Sequence, residues 1–325
     1  MKVLLVSTYE LGHQPFGLAS PAAWLAEAGA EVSCLDLAVE SLDEEAIRGA
    51  GLIAIYLPMH TATRLAGIVV PRIRAFNPSA HLCFYGLYAP LNEAFLRTEL
   101  GGGTVLGGEF ESGLVSLYKR LSANGSVALE PQSEPVISLI KQDFRVPRRE
   151  DLPQLSRYAY VEMDQEGRRT VGYTEASRGC KHLCRHCPVV PVYGGRFFVV
   201  PRGVVIGDIS QQVAGGAEHI TFGDPDFFNG VGHAIRLVEE LHGQFPDLTY
   251  DVTIKVEHLL KYAHHLETLA RTGCLFVTTA VESVDDWVLT ILDKGHTRDD
   301  FVRLVGLARR ANLTLSPTFI PFLPW

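Results

Sequence analysis

Excess positive charge is the first thing the 325-residue chain lacks: 29 Lys and Arg stand against 37 Asp and Glu, a formal net charge of −8. A global basic field able to hold nucleic acid or an anionic bilayer is thereby excluded, and neither is expected as a partner. No uninterrupted apolar run reaches the roughly 18 residues that a membrane-spanning helix needs. The opening MKVLLVST has one positive residue and a short apolar run, but no small-residue cleavage site follows at the right distance. It reads as a first strand and not as a signal peptide. No GxGxxG follows Val6, so a dinucleotide fingerprint is missing too. Cysteine is scarce, with six in the chain. These absences predict a cytoplasmic protein with reduced thiols, in which closely spaced cysteines serve as metal ligands or catalysts and not as disulfide halves.

What is present is an ordinary globular composition, 47% apolar and 20% charged, in a length that suits two domains. Residues 3–6, 31–35, 52–57, 81–85 and 104–106 read as short aliphatic strands; 18–28, 61–76, 91–100 and 114–121 read as the helices between them. Near-continuous apolar strands alternating with helices predict a parallel sheet covered on both faces, an α/β doubly wound, flavodoxin-like domain over residues 1–121. Residues 122–170, rich in Ser, Pro and charge, read as a linker with at most one short hairpin.

Alternation resumes over 171–325. Strands are expected at 171–176, 219–222, 250–255, 275–280 and 313–319, with helices at 204–214, 231–242, 258–271, 284–292 and 298–311. Five such units predict part of a βα barrel, whose chemistry belongs at the C-terminal ends of the strands. The chain stops directly after the fifth strand with no helix to cover it, so the barrel is expected to be incomplete, truncated after strand 5.

The segment 177–188, SRGCKHLCRHCP, follows the first of these strands and sets Cys180, Cys184 and Cys187 in a CxxxCxxC pattern. Independent placement at the chain's cysteine frequency would produce it only about 0.002 times per chain. A structural zinc site fills four positions; His182 or His186 offers a fourth ligand, but there is no second CxxC. Buried structural thiols are disfavoured by the polar loop, with Lys181, His182, Arg185 and His186 between the cysteines. An iron–sulfur cluster fits best: electron-transfer [4Fe–4S] centres take four thiolates, and three leave one iron open to a non-protein ligand. Cys34, Cys83 and Cys274 lie in or beside apolar strands and read as core residues.

CxxxCxxC at the end of a first barrel strand resembles the radical S-adenosylmethionine (radical SAM) superfamily. HITFGDPDFFNG after the second strand and FVTTAVESVDDWVLTILDKGHT around the fourth match its further signatures, and the resemblance covers 171–325. With the α/β domain in front, the chain resembles the branch that carries an N-terminal cobalamin (B12)-binding-type domain. One departure is His186, where the family usually has an aromatic residue; an imidazole can fill the same packing role.

The resemblance implies that Cys180, Cys184 and Cys187 hold a [4Fe–4S] cluster, whose open iron is chelated by the amino and carboxylate groups of SAM. The products are then methionine and a 5′-deoxyadenosyl radical. Gly223 and Asp224 match the stretch that contacts the SAM amino group, although Asp-Pro and Asn-Gly are also plain turn formers. Glu282 and Ser283 match a position at the SAM ribose; the plainer alternative makes Glu282 a cap for a helix starting near Val284. Lys255 and Glu257 face the same mouth and would orient SAM or substrate, or form an ordinary rim ion pair. PTFIPFLP, after the fifth strand, matches an adenine-side region by position alone.

For the first domain, YELGHQPFGLASPAAWL, IYLPMHTATRLA, YGLYAP and GGEFESG match landmarks of the cobalamin-type fold. Gly86, Gly107 and Gly108 are expected to let a flat ligand approach the backbone. The cobalt-ligating DxHxxG is missing around His13; members of the branch commonly lack it, so both cobalamin binding and a vestigial domain stay open. The expected function is radical SAM chemistry on a small-molecule substrate, fed by a one-electron reductant such as flavodoxin or ferredoxin. Within it, cobalamin-dependent methylation of a metabolite or natural-product intermediate stands beside non-methylating rearrangement or bond formation. A non-catalytic zinc-knuckle protein and an inactive remnant are the rivals.

Overall fold

The computed structural model describes residues 1–124, 132–163 and 167–322. Residues 125–131 and 164–166 of the 122–170 segment, and 323–324 of PTFIPFLP, lie outside them. The chain divides into two compact units, Met1–Ala159 and Tyr160–Trp325. Among the described residues no helix is long and apolar enough to cross a membrane.

The first unit runs β1 (Lys2–Ser7), α1 (Phe16–Glu27), β2 (Glu31–Asp36), α2 (Glu44–Gly49), β3 (Leu52–Tyr56), α3 (His60–Phe76), β4 (His81–Tyr85), α4 (Glu93–Thr98), β5 (Thr104–Gly108), α5 (Glu111–Asn124) and β6 (Ile137–Ser138). The strands form one parallel sheet in the order β2-β1-β3-β4-β5-β6. This is the flavodoxin-like doubly wound order. Because successive side chains alternate across a strand, each strand feeds two cores. Leu4, Val6, Ile53, Ile55, Leu82 and Phe84 pack with Ile47, Ala62, Ala66, Val70, Ile73 and Leu96 of α2, α3 and α4. Val3, Leu5, Leu52, Ala54, Cys83 and Tyr85 pack with Leu18, Ala22, Leu25, Leu114 and Leu117 of α1 and α5 on the other face.

Helix α2 has no counterpart in the sequence expectation. It is six residues long, buries only Ile47, and starts at Asp43, whose carboxylate accepts from Ala46 N at 3.0 Å; a single buried residue leaves no periodicity to read. Residues 132–159 pack on this unit through polar side chains. Gln132 clamps both the N–H and the C=O of Val105 at 3.0 Å, and Tyr158 donates to Asp36 at 2.9 Å.

The second unit contains β7 (Tyr160–Met163), β8 (Gly167–Thr174), β9 (Ser177–Gly179), α6 (Val190–Tyr193), β10 (Phe197–Val199), α7 (Arg202–Ala214), β11 (His219–Phe222), α8 (Val231–Gln244), β12 (Thr249–Thr253), α9 (Val256–Lys261), α10 (Leu266–Arg271), β13 (Cys274–Glu282), α11 (Asp286–Leu292), α12 (Arg298–Arg310) and β14 (Thr314–Phe319). Its main sheet has the order β14-β13-β12-β11-β8-β7. All neighbours are parallel except β7, which pairs antiparallel with β8. Strands β9 and β10 form a separate antiparallel pair. The five expected parallel strands are all present, with crossover helices between them. The helix expected at 258–271 is two, α9 and α10, joined by a 3₁₀ turn at Ala263–His265.

Candidate active site at the strand ends of the second unit

In a parallel sheet all carboxyl ends lie on one side, and the loops there converge. The cysteine loop follows β8 and β9. Gly179 begins it at φ +74°, where a Cβ would come within 2.4 Å of the Arg196 carbonyl oxygen; only glycine fits that turn. All three loop cysteines are free thiols, Cys184 buried and the other two half-buried. Burial raises the Cys180 and Cys187 thiols above their ordinary range.

The loop is fastened at three points. Asn229, in the 3₁₀ turn Phe227–Gly230 after β11, accepts from Lys181 N at 3.1 Å and from the Cys180 thiol at 3.8 Å, while Lys181 Nζ donates to the Asn229 carbonyl. Arg185 N donates to Leu292 O at 3.1 Å. His186 Nε2 donates to Glu282 Oε1 at 3.1 Å, so this imidazole carries a polar anchor where simple packing was expected.

Gly223 and Asp224 follow β11, and neither has room to spare. A Cβ on Gly223 would strike the Tyr173 hydroxyl at 1.9 Å. The Asp224 carboxylate turns inward, accepting from Ala176 N at 2.9 Å and Ser177 Oγ at 2.5 Å. Burial pushes its carboxyl up to about 7 against these hydrogen bonds. Asp224 thus clamps the start of the cysteine segment to β11.

Lys255 and Glu257 do pair, at 3.2 Å, but Lys255 is buried and Glu257 half-buried. Lys255 also donates to His182 Nδ1 at 3.1 Å. An ordinary rim pair does not describe this, since the lysine links α9 to the cysteine loop.

Glu282 ends β13 at a register shift against β14, with φ +67°. That conformation is costly for a non-glycine residue and marks a site rather than a regular strand. Its carboxylate meets Lys294 Nζ at 3.2 Å as well as His186. Burial opposes ionisation, but His186 and Lys294 outweigh it and hold the carboxyl below its usual range. The expected helix-cap role belongs elsewhere: α11 begins at Asp286, and Asp285 caps it by accepting from Trp287 N and Val288 N. The Ser283 hydroxyl accepts from Asp285 N at 3.1 Å.

Sequence reasoning did not single out Asn229, His258 or Lys294. Each acts through a tertiary partner, and the signal available was the Asn-Gly turn in FFNG and a histidine directly after Glu257.

In the first unit, the carboxyl ends of β3, β4 and β5 carry an aromatic group: Tyr85 stands 5.3 Å from Tyr56 and 5.1 Å from Phe110, centroid to centroid. At the three glycines singled out in the sequence a side chain would not fit. A Cβ on Gly86 would meet Leu57 O at 2.9 Å, on Gly107 Pro90 at 2.5 Å, and on Gly108 Ser138 O at 2.2 Å. These residues are glycine because neighbouring backbone and proline press on them. In GGEFESG, Glu109 and Glu111 are buried and both accept from the Gln142 amide, at 3.3 and 3.1 Å.

Residues 174–324 match the model of the Radical SAM superfamily. Among solved structures the chain is similar to TsrM from Kitasatospora setae, a radical S-adenosylmethionine methyltransferase with cobalamin and a [4Fe–4S] cluster bound. Identity is 18%, covering 98% of this chain and 66% of that one, with a TM-score of 0.73. A second structure of TsrM, with tryptophan substrate and the SAM analogue aza-SAM, matches equally at 18% and 0.73. OxsB, a cobalamin-dependent S-adenosylmethionine radical enzyme with aqua-cobalamin and S-adenosylmethionine bound, is 14% identical; the match covers 99% of this chain and 49% of OxsB, with a TM-score of 0.73. At these identities the likeness is one of fold. The chain spans about two thirds of the length of TsrM and about half that of OxsB.

Proposed function

We propose that this chain, which belongs to the radical SAM superfamily through residues 174–324, is an enzyme that reductively cleaves S-adenosylmethionine and methylates a small molecule with the help of cobalamin. The observation that carries the reading is the donor set. Three free thiols, Cys180, Cys184 and Cys187, share one loop at the carboxyl end of a parallel sheet, and no fourth thiol belongs to it. They fit a [4Fe–4S] cluster with one open iron. Bound there and reduced, the cluster would supply one electron to the sulfonium of S-adenosylmethionine.

The protein's own contribution is to hold the loop and shape the mouth. Asn229, in the turn after β11, and Glu282, at the end of β13, fasten the loop from two sides. The backbone at Gly223 and Asp224 is the candidate acceptor for the SAM amino group, because the Asp224 carboxylate is already committed to Ala176 and Ser177. Lys255 and Glu257 orient the SAM carboxylate or the substrate, and Glu282 and Ser283 face the ribose. The electron comes from a small reductase partner of the flavodoxin or ferredoxin kind. The cobalamin-binding-type domain begins with residues 1–121 and the radical SAM core spans 171–325, with the 122–170 segment divided between the two units at Ala159; the strand order of the first unit and the fold shared with TsrM and OxsB support this.

A second reading keeps the radical chemistry but uses no cobalamin, with rearrangement or bond formation as the outcome. What keeps it open is the absence of the cobalt-ligating DxHxxG pattern around His13. Anaerobic reconstitution with and without hydroxocobalamin separates the two. Methionine and 5′-deoxyadenosine alone support the second reading; S-adenosylhomocysteine that requires cobalamin supports the first. A reduced, cluster-loaded protein that forms neither nucleoside contradicts both, and a colourless anaerobic preparation containing zinc favours the zinc-knuckle protein.

A further inference from the structure

We propose that His182, Asp226 and His258 form a second metal site, distinct from the cysteines, that takes one first-row divalent cation. The three residues come from different segments: the cysteine loop, the N-cap of the 3₁₀ turn after β11, and the first turn of α9. His182 Nε2, Asp226 Oδ2 and His258 Nδ1 all lie within 4.8 Å of one another. Asp226 Oδ2 stands 3.3 Å from His182 Nε2 and 2.7 Å from His258 Nδ1. Ligands roughly 2.0–2.1 Å from a tetrahedral ion are about 3.3 Å apart. The first spacing is already that of a bound ion, and the second has to widen by about half an ångström.

Both imidazoles pair closely with one Asp226 oxygen, which outweighs burial and holds the carboxyl below its usual range, yet neither contact has the alignment of a regular hydrogen bond. All three atoms are buried. His219 in the same unit shows what a satisfied buried histidine looks like: Nδ1 lies 2.9 Å from Thr249 Oγ1 and Nε2 lies 2.9 Å from Asp251 Oδ1. At the Asp226 cluster, by contrast, the other carboxylate oxygen caps Phe228 N at 3.1 Å and so aims Oδ2 at the two imidazoles, whose rings stand 4.6 Å apart. Two imidazoles converging on one buried carboxylate oxygen without aligned hydrogen bonds suit an ion at their centre.

Two imidazoles and one carboxylate suit zinc, iron(II) or cobalt(II) and not magnesium or calcium, and three protein ligands leave a coordination position open. Glu257 Oε2 stands 3.8 Å from His182 Nδ1. With an ion on Nε2, that ring nitrogen carries a proton, Lys255 gives way, and Glu257 becomes the acceptor that orients the ligand.

The probe is cobalt(II), titrated anaerobically into the full chain carrying Cys180→Ser, Cys184→Ser and Cys187→Ser. One equivalent should bind with visible d–d bands and no thiolate-to-cobalt charge transfer. Asp226→Asn and His258→Gln should each weaken binding at least about tenfold. Asp226→Asn retains an oxygen to cap Phe228, so circular dichroism should report an unchanged fold. No stoichiometric binding, or binding indifferent to both substitutions, overturns the proposal. As a second measurement on the cluster-loaded protein with its cysteines intact, one metal equivalent beyond the cluster iron should vanish in Asp226→Asn while the cluster iron stays; equal metal content in both proteins overturns it as well.

Discussion

Lys294 Nζ lies 3.2 Å from Glu282 Oε1, with 4% and 10% of the two side chains exposed, so the pair is buried. Removing one member of such a pair leaves an uncompensated charge, which costs roughly 3–5 kcal/mol. Glu282→Ala should therefore lower the unfolding free energy of the chain by about that amount. Glu282→Ala combined with Lys294→Met should recover most of it, and a double-mutant cycle in urea measures the coupling. A pair that contributes nothing would show two small, additive losses.

Gly179 and Gly194 both have positive φ, +74° and +55°, but only Gly179 is hemmed in; a Cβ on Gly194 meets nothing within 4 Å. Gly194→Ala should cost about 1–2 kcal/mol, the left-handed backbone penalty alone. Gly179→Ala should cost clearly more and reduce the iron retained after reconstitution, because it displaces the strand that leads into Cys180. Iron content and melting temperature of the two variants, measured side by side, check this.

Asn229 is buried and holds Lys181 N at 3.1 Å from a point 48 residues away. Asn229→Ala strands a backbone donor and should cost about 1–3 kcal/mol. Loss of cluster iron during gel filtration should accelerate in this variant, whereas Asn229→Asp, which keeps an acceptor, should be intermediate.

The Asp224 carboxyl, raised from its usual value to about 7 by burial, gives a pH dependence of defined sign. Between the unfolded and folded values the native state binds the proton that the unfolded chain releases, so stability falls as pH rises. The contribution is most favourable in acid and is lost as pH climbs towards 7. Asp224→Asn removes this slope. Between pH 5 and pH 8 its unfolding free energy should gain about 2–3 kcal/mol relative to the unsubstituted chain; a constant difference would contradict the assignment.

Much of the fold is legible in the sequence because the parallel strands are buried on both faces. Leu52–Tyr56 is apolar at every position and every residue is buried. The cysteine loop is legible because its three ligand candidates are local. Its supports are not. His186 meets Glu282 across 96 residues and Lys181 meets Asn229 across 48, and no local pattern announces either. A cap for the next helix is the plainer alternative for Glu282 beside its match to the ribose position, yet Asp285, three residues on, has the short side chain and extended backbone a cap needs. The need for glycine at the strand ends of the first unit is also non-local: Leu57, Pro90 and Ser138, which leave no room for a Cβ at Gly86, Gly107 and Gly108, come from other segments.

The central claim is tested most directly by low-temperature electron paramagnetic resonance of the anaerobically reconstituted, dithionite-reduced chain, with and without S-adenosylmethionine. The account predicts a reduced [4Fe–4S] signal that S-adenosylmethionine perturbs and that disappears when Cys180, Cys184 or Cys187 is replaced by alanine. A signal indifferent to S-adenosylmethionine, or one that survives replacement of all three cysteines, would contradict it.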